Sequence, residues 1–372
     1  MNPRLSSNPA FLLYCRPGFE KEVAEETAAW LLANTIKARP EFAEGAGYVM
    51  VQGLSPVAAE KLRRLQFQDL VFARQGIIAL PEPVALGAKD RVTPLVDAVQ
   101  KLAQHYGLQD FQSVWIEFPD TNEGKSLSTL ARGLAPYLEK ALQERQLLRA
   151  VAPNAPNAPN VPRLHVFLTS KSSAWIGWSC KGQSSDWPLG IPRLRMPSGA
   201  PSRSTLKLVE AFVTFLGDDE SKLIQPDMRA ADLGAAPGGW TWQLINRGVR
   251  VMAIDNGPLS GDLVDNAMVK HLRTDGFHFR PKQPVDWLVC DMVEKPSRIA
   301  ALVAEWIAEG LARHAIFNLK LPMKKRLDEV ARCRQIIEER LAGMPRYRLK
   351  FKHLYHDREE ITGYLGIPLR KR

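Results

Sequence analysis

The chain has 372 residues, which is enough for two to three domains. Of these residues 45% are hydrophobic and 24% are charged, a balance that excludes a disordered or collagen-like chain. No run approaches the roughly 18 uncharged apolar residues that span a bilayer, and the N-terminal apolar run is too short for a secretory signal. The four cysteines lie far apart without a CxxC pair, so we expect reduced thiols rather than disulfides or a metal site. The sequence therefore predicts a cytoplasmic protein with no membrane or metal partner.

The net charge of +10 is concentrated in the C-terminal part of the chain. Residues 1–160 carry 17 basic and 17 acidic side chains, whereas residues 161–372 carry 33 basic and 23 acidic ones. Residues 320–372 alone have a net charge of +8. A positive field of this kind attracts polyanions, so nucleic acid is the expected partner; a basic surface that only improves solubility is the alternative.

Residues 1–82 predict a small α+β domain, because short apolar strand patterns alternate with helical ones. Ser55 is the predicted N-cap of the second helix. The Pro-Glu-Pro motif at 81–83 breaks the pattern and marks the first domain boundary. In chain order, the predicted elements are strand 11–15, helix 17–32, strand 47–52, helix 55–65 and strand 70–80.

Residues 83–195 predict a second domain, in which no catalytic constellation is recognisable. The Pro/Asn repeat at 152–160 cannot form the interior of a helix or sheet, so we expect an exposed loop there. The other predicted elements are helix 92–106, strand 113–118, a long helical stretch over 125–148 and a strand pair within 163–180.

From residue 196 onward, strand and helix patterns alternate, which predicts a doubly wound α/β sheet with parallel strands. Its first strand runs into the glycine-rich turn 232–239, where glycines allow a sharp bend and a close approach to a ligand. Asp255 ends the next strand, where an acid can bind ribose hydroxyls. This spacing suits a nicotinamide dinucleotide or S-adenosylmethionine. The latter fits better, because Pro237 and the missing middle glycine disfavour a bound pyrophosphate.

Two further acids follow strands of the same predicted sheet. Asp275 follows the third strand region, where a carboxylate can accept a hydrogen bond from an adenine amino group, and Asp291 ends the fourth strand. Parallel strands present their carboxyl ends at one crevice, so we expect these acids to lie there together. A single acid at a strand end is more often a turn or helix cap, but three in succession favour a binding site.

Candidate catalytic side chains come from three other segments. Lys320 ends the fifth strand, where burial is costly for an unpaired charge. Lys207 lies on a helix before the glycine turn and faces either solvent or the site. Glu359 and Glu360 stand directly before the last apolar strand.

Several long motifs together resemble the FtsJ-type ribose 2′-O-methyltransferases. They are SRSTLKL, DLGAAPGGW, CDMVEKP, FNLKLPMKKR and YHDREE. CRPGFEKE, DTNEGK and LGIPRLRMP extend the resemblance, over nearly the whole chain, to a bacterial group that methylates 23S rRNA. The resemblance implies a ferredoxin-like α+β domain at 1–82, a THUMP RNA-binding domain at 83–195 and a Rossmann-like, S-adenosylmethionine-dependent methyltransferase domain at 196–372.

The resemblance also implies residue roles. The lysine–aspartate–lysine–glutamate tetrad of such enzymes falls on Lys207, Asp291, Lys320 and Glu360, with Glu359 as a close alternative. The implied substrate is a cytidine of 23S rRNA, reached before the subunit is assembled, and we expect a monomer. Close relatives often have Cys where this chain has Ala236. The implied cofactor contacts are Ser204, Ala236, Pro237, Gly238, Gly239, Asp255, Asp275 and Asp291.

The tetrad suits this chemistry, because a ribose 2′-hydroxyl is a poor nucleophile and needs a base aimed at it. We expect Lys320 to take the proton while Asp291 and Glu360 orient the lysines and the ribose. Burial and the neighbouring Lys207 cation are expected to lower the pKa of Lys320 from its reference value of about 10.4. A dinucleotide-dependent oxidoreductase and a non-catalytic rRNA-binding or ribosome-assembly factor are the alternatives.

Basic residues near the C-terminus predict a phosphate-binding strip beside the active site. Residues 346–353 alternate basic and apolar types, so a strand would place the basic ones on a single face. A solvated strand face is the alternative. His353 and His356 show no metal-ligand spacing and are predicted to be surface residues. The predicted strip comprises Lys324, Lys325, Arg326, Arg346, Arg348, Lys350 and Lys352.

Overall fold

The chain divides into two compact units, Met1–Pro192 and Arg193–Arg372. The residues that the computed structural model describes are 8–63, 65, 67–149, 161–344 and 346–368. The predicted loop at 152–160 lies outside them. In the part of the chain that is described, no helix is both long enough and apolar enough to cross a membrane.

The first unit is an α+β structure built on one sheet. Its elements are β1 (Ala10–Tyr14), α1 (Glu20–Ala33), β2 (Pro40–Glu41), β3 (Tyr48–Val51), α2 (Pro56–Leu62), β4 (Gln75–Ala79), β5 (Val84–Ala85), α3 (Val92–Tyr106), β6 (Ser113–Glu117), α4 (Asn122–Lys125), α5 (Ser128–Glu144), β7 (Arg163–Ser170) and β8 (Ser173–Ser179).

The sheet of the first unit is continuous across both predicted N-terminal domains. Its strand order is β2-β3-β1-β4-β8-β7-β6, and β5 pairs with β8. The two halves join where β4 pairs with β8, through Ile78 opposite Trp178 and Ala79 opposite Gly177. The predicted domain boundaries after residues 82 and 195 remain predictions.

A local signal sets the start of α2, and a distant contact sets the start of β4. Ser55 caps α2 as predicted, because its Oγ accepts a hydrogen bond from the Ala58 backbone N–H at 3.2 Å. The strand predicted at 70–80 begins only at Gln75. The cause is Glu26 of α1, whose carboxylate accepts hydrogen bonds from the backbone N–H groups of the three residues 71–73, so these groups are unavailable to a sheet.

The second unit alternates strands and helices. Its elements are α6 (Thr205–Phe215), α7 (Glu220–Leu223), β9 (Arg229–Leu233), α8 (Gly239–Ile245), β10 (Arg250–Ile254), β11 (Val269–Leu272), β12 (Val285–Cys290), α9 (Pro296–Ala308), β13 (Ala312–Lys320), α10 (Arg326–Arg340), β14 (Arg348–Lys352) and β15 (Glu360–Gly366).

The sheet of the second unit has the order β11-β10-β9-β12-β13-β15-β14. The predicted doubly wound α/β fold is confirmed. The first five of these strands are parallel, but β15 runs antiparallel to both β13 and β14, so the prediction of parallel strands is wrong for β15. The reversal follows from the chain path, because α10 and β14 precede β15 and the short segment 353–359 then returns the chain beside β13.

This topology creates the crevice that holds the site. The order reverses at β9, whose neighbours are β10 on one side and β12 on the other. In open α/β sheets, ligands bind beyond the carboxyl ends of strands at such a point. The glycine-rich turn, Asp255 and Asp291 all follow these three strands directly.

Candidate active site

The glycine-rich turn joins β9 to α8 and forms one wall of the crevice. Gly238 has a φ of 115°, which other residues avoid, and a Cβ added there would collide with Leu263. A Cβ on Gly239 would collide with the hydroxyls of Ser202 and Ser204, which are 2.6 Å apart. Only glycine therefore allows the turn to lie against the start of α6.

Asp255, which follows the neighbouring strand β10, forms a hydrogen bond with this turn. Its Oδ2 accepts a hydrogen bond from the Ala236 backbone N–H at 3.0 Å, and its Oδ1 accepts one from the Gly257 N–H at 2.7 Å. Each carboxylate oxygen can accept a second hydrogen bond, so Asp255 can also accept hydroxyl donors.

Asp275 is exposed and bonds within its own turn. Its Oδ1 accepts a hydrogen bond from the Phe277 backbone N–H at 2.8 Å, and its Oδ2 lies 3.1 Å from His278 Nδ1. These are the contacts of a turn cap. The adenine contact therefore remains a prediction.

Asp232, in β9, is a buried acid that the sequence analysis did not single out. Its Oδ2 accepts a hydrogen bond from Thr241 Oγ1 at 2.6 Å, and its Oδ1 has no hydrogen-bond partner among the residues described. Burial raises the pKa of Asp232 to about 7, against the opposing hydrogen bond from Thr241 and with a further increase from the Asp291 charge. A carboxylate inside an apolar strand, directly before a glycine turn, is the signal that could have identified it.

Four charged side chains from four separate elements meet at the crevice. Lys207 comes from α6, Asp291 follows β12, Lys320 ends β13 and Glu360 begins β15. Lys207 therefore faces the site rather than solvent. The four side chains are between 7% and 28% exposed, so the group is largely buried.

Each carboxylate of this group contacts both lysines. Asp291 Oδ1 lies 3.1 Å from Lys320 Nζ, and Asp291 Oδ2 lies 3.6 Å from Lys207 Nζ. Glu360 pairs with Lys320 through Oε2 and with Lys207 through Oε1. The result is a closed ring of two positive and two negative groups, which we call the tetrad ring. Mutual pairing explains how four charges are tolerated in a largely buried position.

The tetrad ring raises the pKa of Lys320, opposite to the predicted direction. Burial lowers the pKa of this lysine, but the Asp291 and Glu360 carboxylates favour the ammonium form and outweigh burial. The prediction is wrong because it considered burial and the Lys207 cation without two carboxylates in direct contact. Conversely, burial alone would raise the pKa of Glu360, yet Lys207 and Lys320 hold it below its usual range.

Glu359 lies outside the tetrad ring. Its side chain is 59% exposed and its Oε2 accepts a hydrogen bond from Arg326 Nη2 at 2.8 Å. Of the two glutamates that the sequence leaves open, Glu360 is thus the one that contacts both lysines.

Curated relatives match nearly the whole chain. Ribosomal RNA large subunit methyltransferase M of Methylococcus capsulatus is 48% identical over 98% of this chain and 99% of that protein. The protein of the same name from Azoarcus sp. is 49% identical over 96% of this chain and 95% of that protein. The chain belongs to the ribosomal RNA large subunit methyltransferase M family.

Three family models agree with this membership. Residues 9–77 match the RlmM ferredoxin-like domain, residues 90–180 match the N-terminal model of ribosomal RNA large subunit methyltransferase M, and residues 200–327 match FtsJ-like methyltransferase. The predicted methyltransferase class and the ferredoxin-like domain are confirmed, and the oxidoreductase alternative is excluded. A solved fibrillarin from Methanococcus jannaschii has a TM-score of 0.36, at 12% identity over 59% of this chain and 85% of that one.

In this family member, the basic residues do not form the predicted strip. Lys324 and Lys325 are exposed and follow Lys320 closely. In β14, however, Lys352 is only 6% exposed, so the prediction is wrong there. Arg348 pairs with Gly366 at the end of the sheet opposite to the tetrad ring, because β14 extends away from the site.

The prediction of two surface histidines is also wrong. His353 is 1% exposed and its Nε2 lies 3.0 Å from the Arg358 carbonyl oxygen. His356 is half-buried, with Nδ1 2.6 Å from Glu210 Oε2. Glu210 also accepts the backbone N–H groups of Tyr355 and His356, and so attaches the segment before β15 to α6. In the described ranges, no group of three or more His, Cys, Asp or Glu side chains could hold a metal ion.

Proposed function

We propose that this chain transfers a methyl group from S-adenosylmethionine to the ribose 2′-hydroxyl of a cytidine in 23S rRNA. The observation that carries the proposal is the tetrad ring, which lies at the crevice of an FtsJ-like methyltransferase domain. Methylation of a hydroxyl needs a group that accepts its proton, and the ring holds a lysine amine for this purpose. The cytidine comes from the resemblance of the motifs to enzymes that modify this nucleotide.

The residues of the crevice fit S-adenosylmethionine, which when bound supplies the electrophilic methyl group. Gly238 and Gly239 leave the turn without side chains, so its backbone is open to close approach. The buried Asp232 Oδ1, without a partner in the described part of the chain, would be satisfied by a donor on a bound molecule. We assign to the cofactor Ser204, Ala236, Pro237, Gly238, Gly239, Asp255, Asp275 and Asp291.

Lys320 is the proposed general base. Asp291 and Glu360 hold its amine in place, while Lys207 balances their charge. Lys320 Nζ takes the hydroxyl proton as the oxygen is methylated. Because the pKa of Lys320 is raised, the neutral amine is the minor form at neutral pH, and the reaction speeds up as pH rises.

The rim of the site suits an RNA partner. Lys324 and Lys325 are exposed just beyond β13. Val293 and Met323 are 88% and 84% exposed. Val293 lies two residues after Asp291, beyond β12, and Met323 lies three residues after Lys320, beyond the neighbouring strand β13. Lysines attract phosphates, and exposed apolar side chains can pack against bases. These four residues, which we call the rim, are proposed to contact RNA around the target ribose.

We further propose that residues 83–195 form a THUMP RNA-binding domain and that the protein acts in the cytoplasm as a monomer. A ribose must be accessible to enter a largely buried site. The proposed substrate is therefore 23S rRNA that is free or only partly assembled, since packing in the mature subunit would bury the target.

Mapping 2′-O-methyl groups on 23S rRNA tests the proposed function. Unmodified 23S rRNA and assembled large subunits are each incubated with the purified protein and S-adenosylmethionine. We expect one new 2′-O-methylcytidine in the free rRNA and none in the subunits. Methylation of a base, or of no position, would contradict the proposed reaction. Methylation of the subunits alone would contradict only the proposed state of the substrate.

A further inference from the structure

A row of buried polar side chains lies directly behind the tetrad ring. Asn318 and Thr362 face each other in the β13–β15 pair. They are two residues from Lys320 and Glu360 respectively, so all four side chains leave the same face of the sheet. Asp357 contacts Thr362 from the other side. Asn318, Thr362 and Asp357 are each 0% exposed, so their hydrogen bonds must be made within the protein.

The contacts of Asn318 fix the direction of its hydrogen bonds. Asn318 Nδ2 donates to Asp291 Oδ1 at 2.8 Å, because a carboxylate held between two ammonium groups can only accept. The Asn318 amide oxygen then lies 2.9 Å from Thr362 Oγ1 and accepts the threonine proton. A hydroxyl has one proton, so Thr362 has none left for another acceptor.

Asp357 must therefore donate to Thr362. Thr362 Oγ1 lies 3.2 Å from Asp357 Oδ1 and 3.0 Å from Asp357 Oδ2. Asp357 Oδ2 also accepts a hydrogen bond from the Leu354 backbone N–H at 3.0 Å. The contact with Thr362 thus needs the neutral carboxylic acid.

The surroundings of Asp357 agree with this. Burial raises the pKa of this carboxyl well above its usual range, and the charges of Glu360 and Glu210 raise it further. The Leu354 N–H and the Lys207 ammonium act in the opposite direction without reversing the shift. Charge and hydrogen-bond geometry therefore lead to the same protonation state.

We propose that Asp357, Thr362 and Asn318 form a one-way hydrogen-bond chain that positions Asp291 for methyl transfer, with neutral Asp357 as its first donor. The inference rests on the proposed function, in which Asp291 orients the general base Lys320. Asp291 Oδ1 is shared between the Asn318 amide and Lys320, at 2.8 and 3.1 Å. The Asn318 amide competes with Lys320 for Asp291 Oδ1 and so weakens the interaction between Asp291 and Lys320. Loss of the amide should therefore raise the pKa of Lys320. The three are positioning residues.

Conservative and disruptive variants of the same residues test the chain. Asp357→Asn keeps a donor toward Thr362 and an acceptor toward Leu354, and Thr362→Ser keeps the hydroxyl, so both should retain most of the wild-type kcat. Thr362→Val keeps the shape but breaks the chain, and Asn318→Leu removes the donor to Asp291. For Thr362→Val and Asn318→Leu we expect kcat to fall about tenfold or more while KM for RNA stays unchanged. The pH–rate profile of both variants should shift to higher pH.

Infrared spectroscopy can detect the protonation state of Asp357 without an activity assay. The difference spectrum between wild type and Asp357→Asn should contain the C=O band of a protonated carboxyl at neutral pH, and thermal unfolding confirms that each variant is folded. Absence of this band, or unchanged kcat in Thr362→Val, would overturn the chain. So would a loss in Asp357→Asn as large as in Thr362→Val. If the band is present but wild-type protein methylates no ribose, the proposed function fails while the direction of the chain stands.

Discussion

Lys320, the last residue of β13, faces Glu360, the first residue of β15, in the antiparallel pair that these strands form. Their charged groups are in direct contact. The first residue of a parallel strand would lie at the amino edge of the sheet, away from the crevice. Because β15 is reversed, its first residue lies at the carboxyl edge, where Asp291 follows β12 and Lys320 ends β13. The topology of the last strand therefore closes the tetrad ring.

The raised pKa of Lys320 predicts an alkaline pH dependence of methylation. If the neutral amine is the base, the rate grows about tenfold per pH unit below that pKa. We expect the logarithm of the single-turnover rate to rise with a slope of about one between about pH 6.5 and 9. A rate that levels off near neutral pH would mean that another group, or a lysine with a lowered pKa, accepts the proton.

Glu360→Gln and Glu359→Gln form a matched pair of variants. Glu360→Gln removes one of the two carboxylates that raise the pKa of Lys320, so the pH–rate profile should move to lower pH. Glu359→Gln removes the same charge one residue earlier, at a side chain paired with Arg326, and the profile should stay in place. Equal displacement in both variants would show that net charge, rather than contact within the ring, sets the pKa of Lys320.

Patterns local in sequence could predict those parts of the site that lie at strand ends. The glycine-rich turn, Asp255 and Asp291 each follow a buried strand, and adjacent parallel strands end at the same edge. Lys320 could be placed in the same way. The direction of Lys207 could not, because the sequence does not show that α6 packs beside β15.

The wrong predictions share a cause, which is contact between residues distant in sequence. His353 lies in an alternating basic pattern that suggests a surface strand, but the segment that follows is bound by Glu210, more than 140 residues earlier. The pKa of Lys320 depends on Asp291 and Glu360, which lie on either side of it in the chain. No local pattern contains these contacts.

Asp232→Asn should change how stability depends on pH. The folded-state pKa of Asp232 is about 7 and the unfolded value is about 3.9, so its contribution to stability is complete below about pH 4 and is lost as pH rises through about 7. The loss amounts to about 4 kcal/mol. Urea unfolding measures the free energy of unfolding of the variant minus that of wild type. This difference should be more favourable to the variant at pH 8 than at pH 4. Asp265→Asn, at an exposed position, controls for net charge. An equal difference at both pH values would contradict the buried, protonated Asp232.

The rim lysines should contribute to the salt dependence of RNA binding. The double variant Lys324→Gln/Lys325→Gln is expected to weaken binding and to lower the slope of log Kd against log salt by about one to two. Lys222→Gln/Arg348→Gln removes the same charge at the opposite end of the sheet, where both residues adjoin His314. When binding is measured over a series of salt concentrations, this control should show the wild-type slope of log Kd against log salt. Identical slopes for both double variants would contradict a local RNA contact at the rim.

The central claim is that Lys320 accepts the proton of the ribose hydroxyl, and Lys320→Met tests it most directly. Single-turnover methylation of 23S rRNA is measured together with the Kd for S-adenosylmethionine. The matched control is Lys222→Met, at an exposed position near the end of the sheet opposite to the tetrad ring. We predict that the Kd stays within about threefold while the rate falls by about 10²–10⁴, and that the control keeps the wild-type rate. A methylation rate for Lys320→Met within about threefold of wild type would contradict the account.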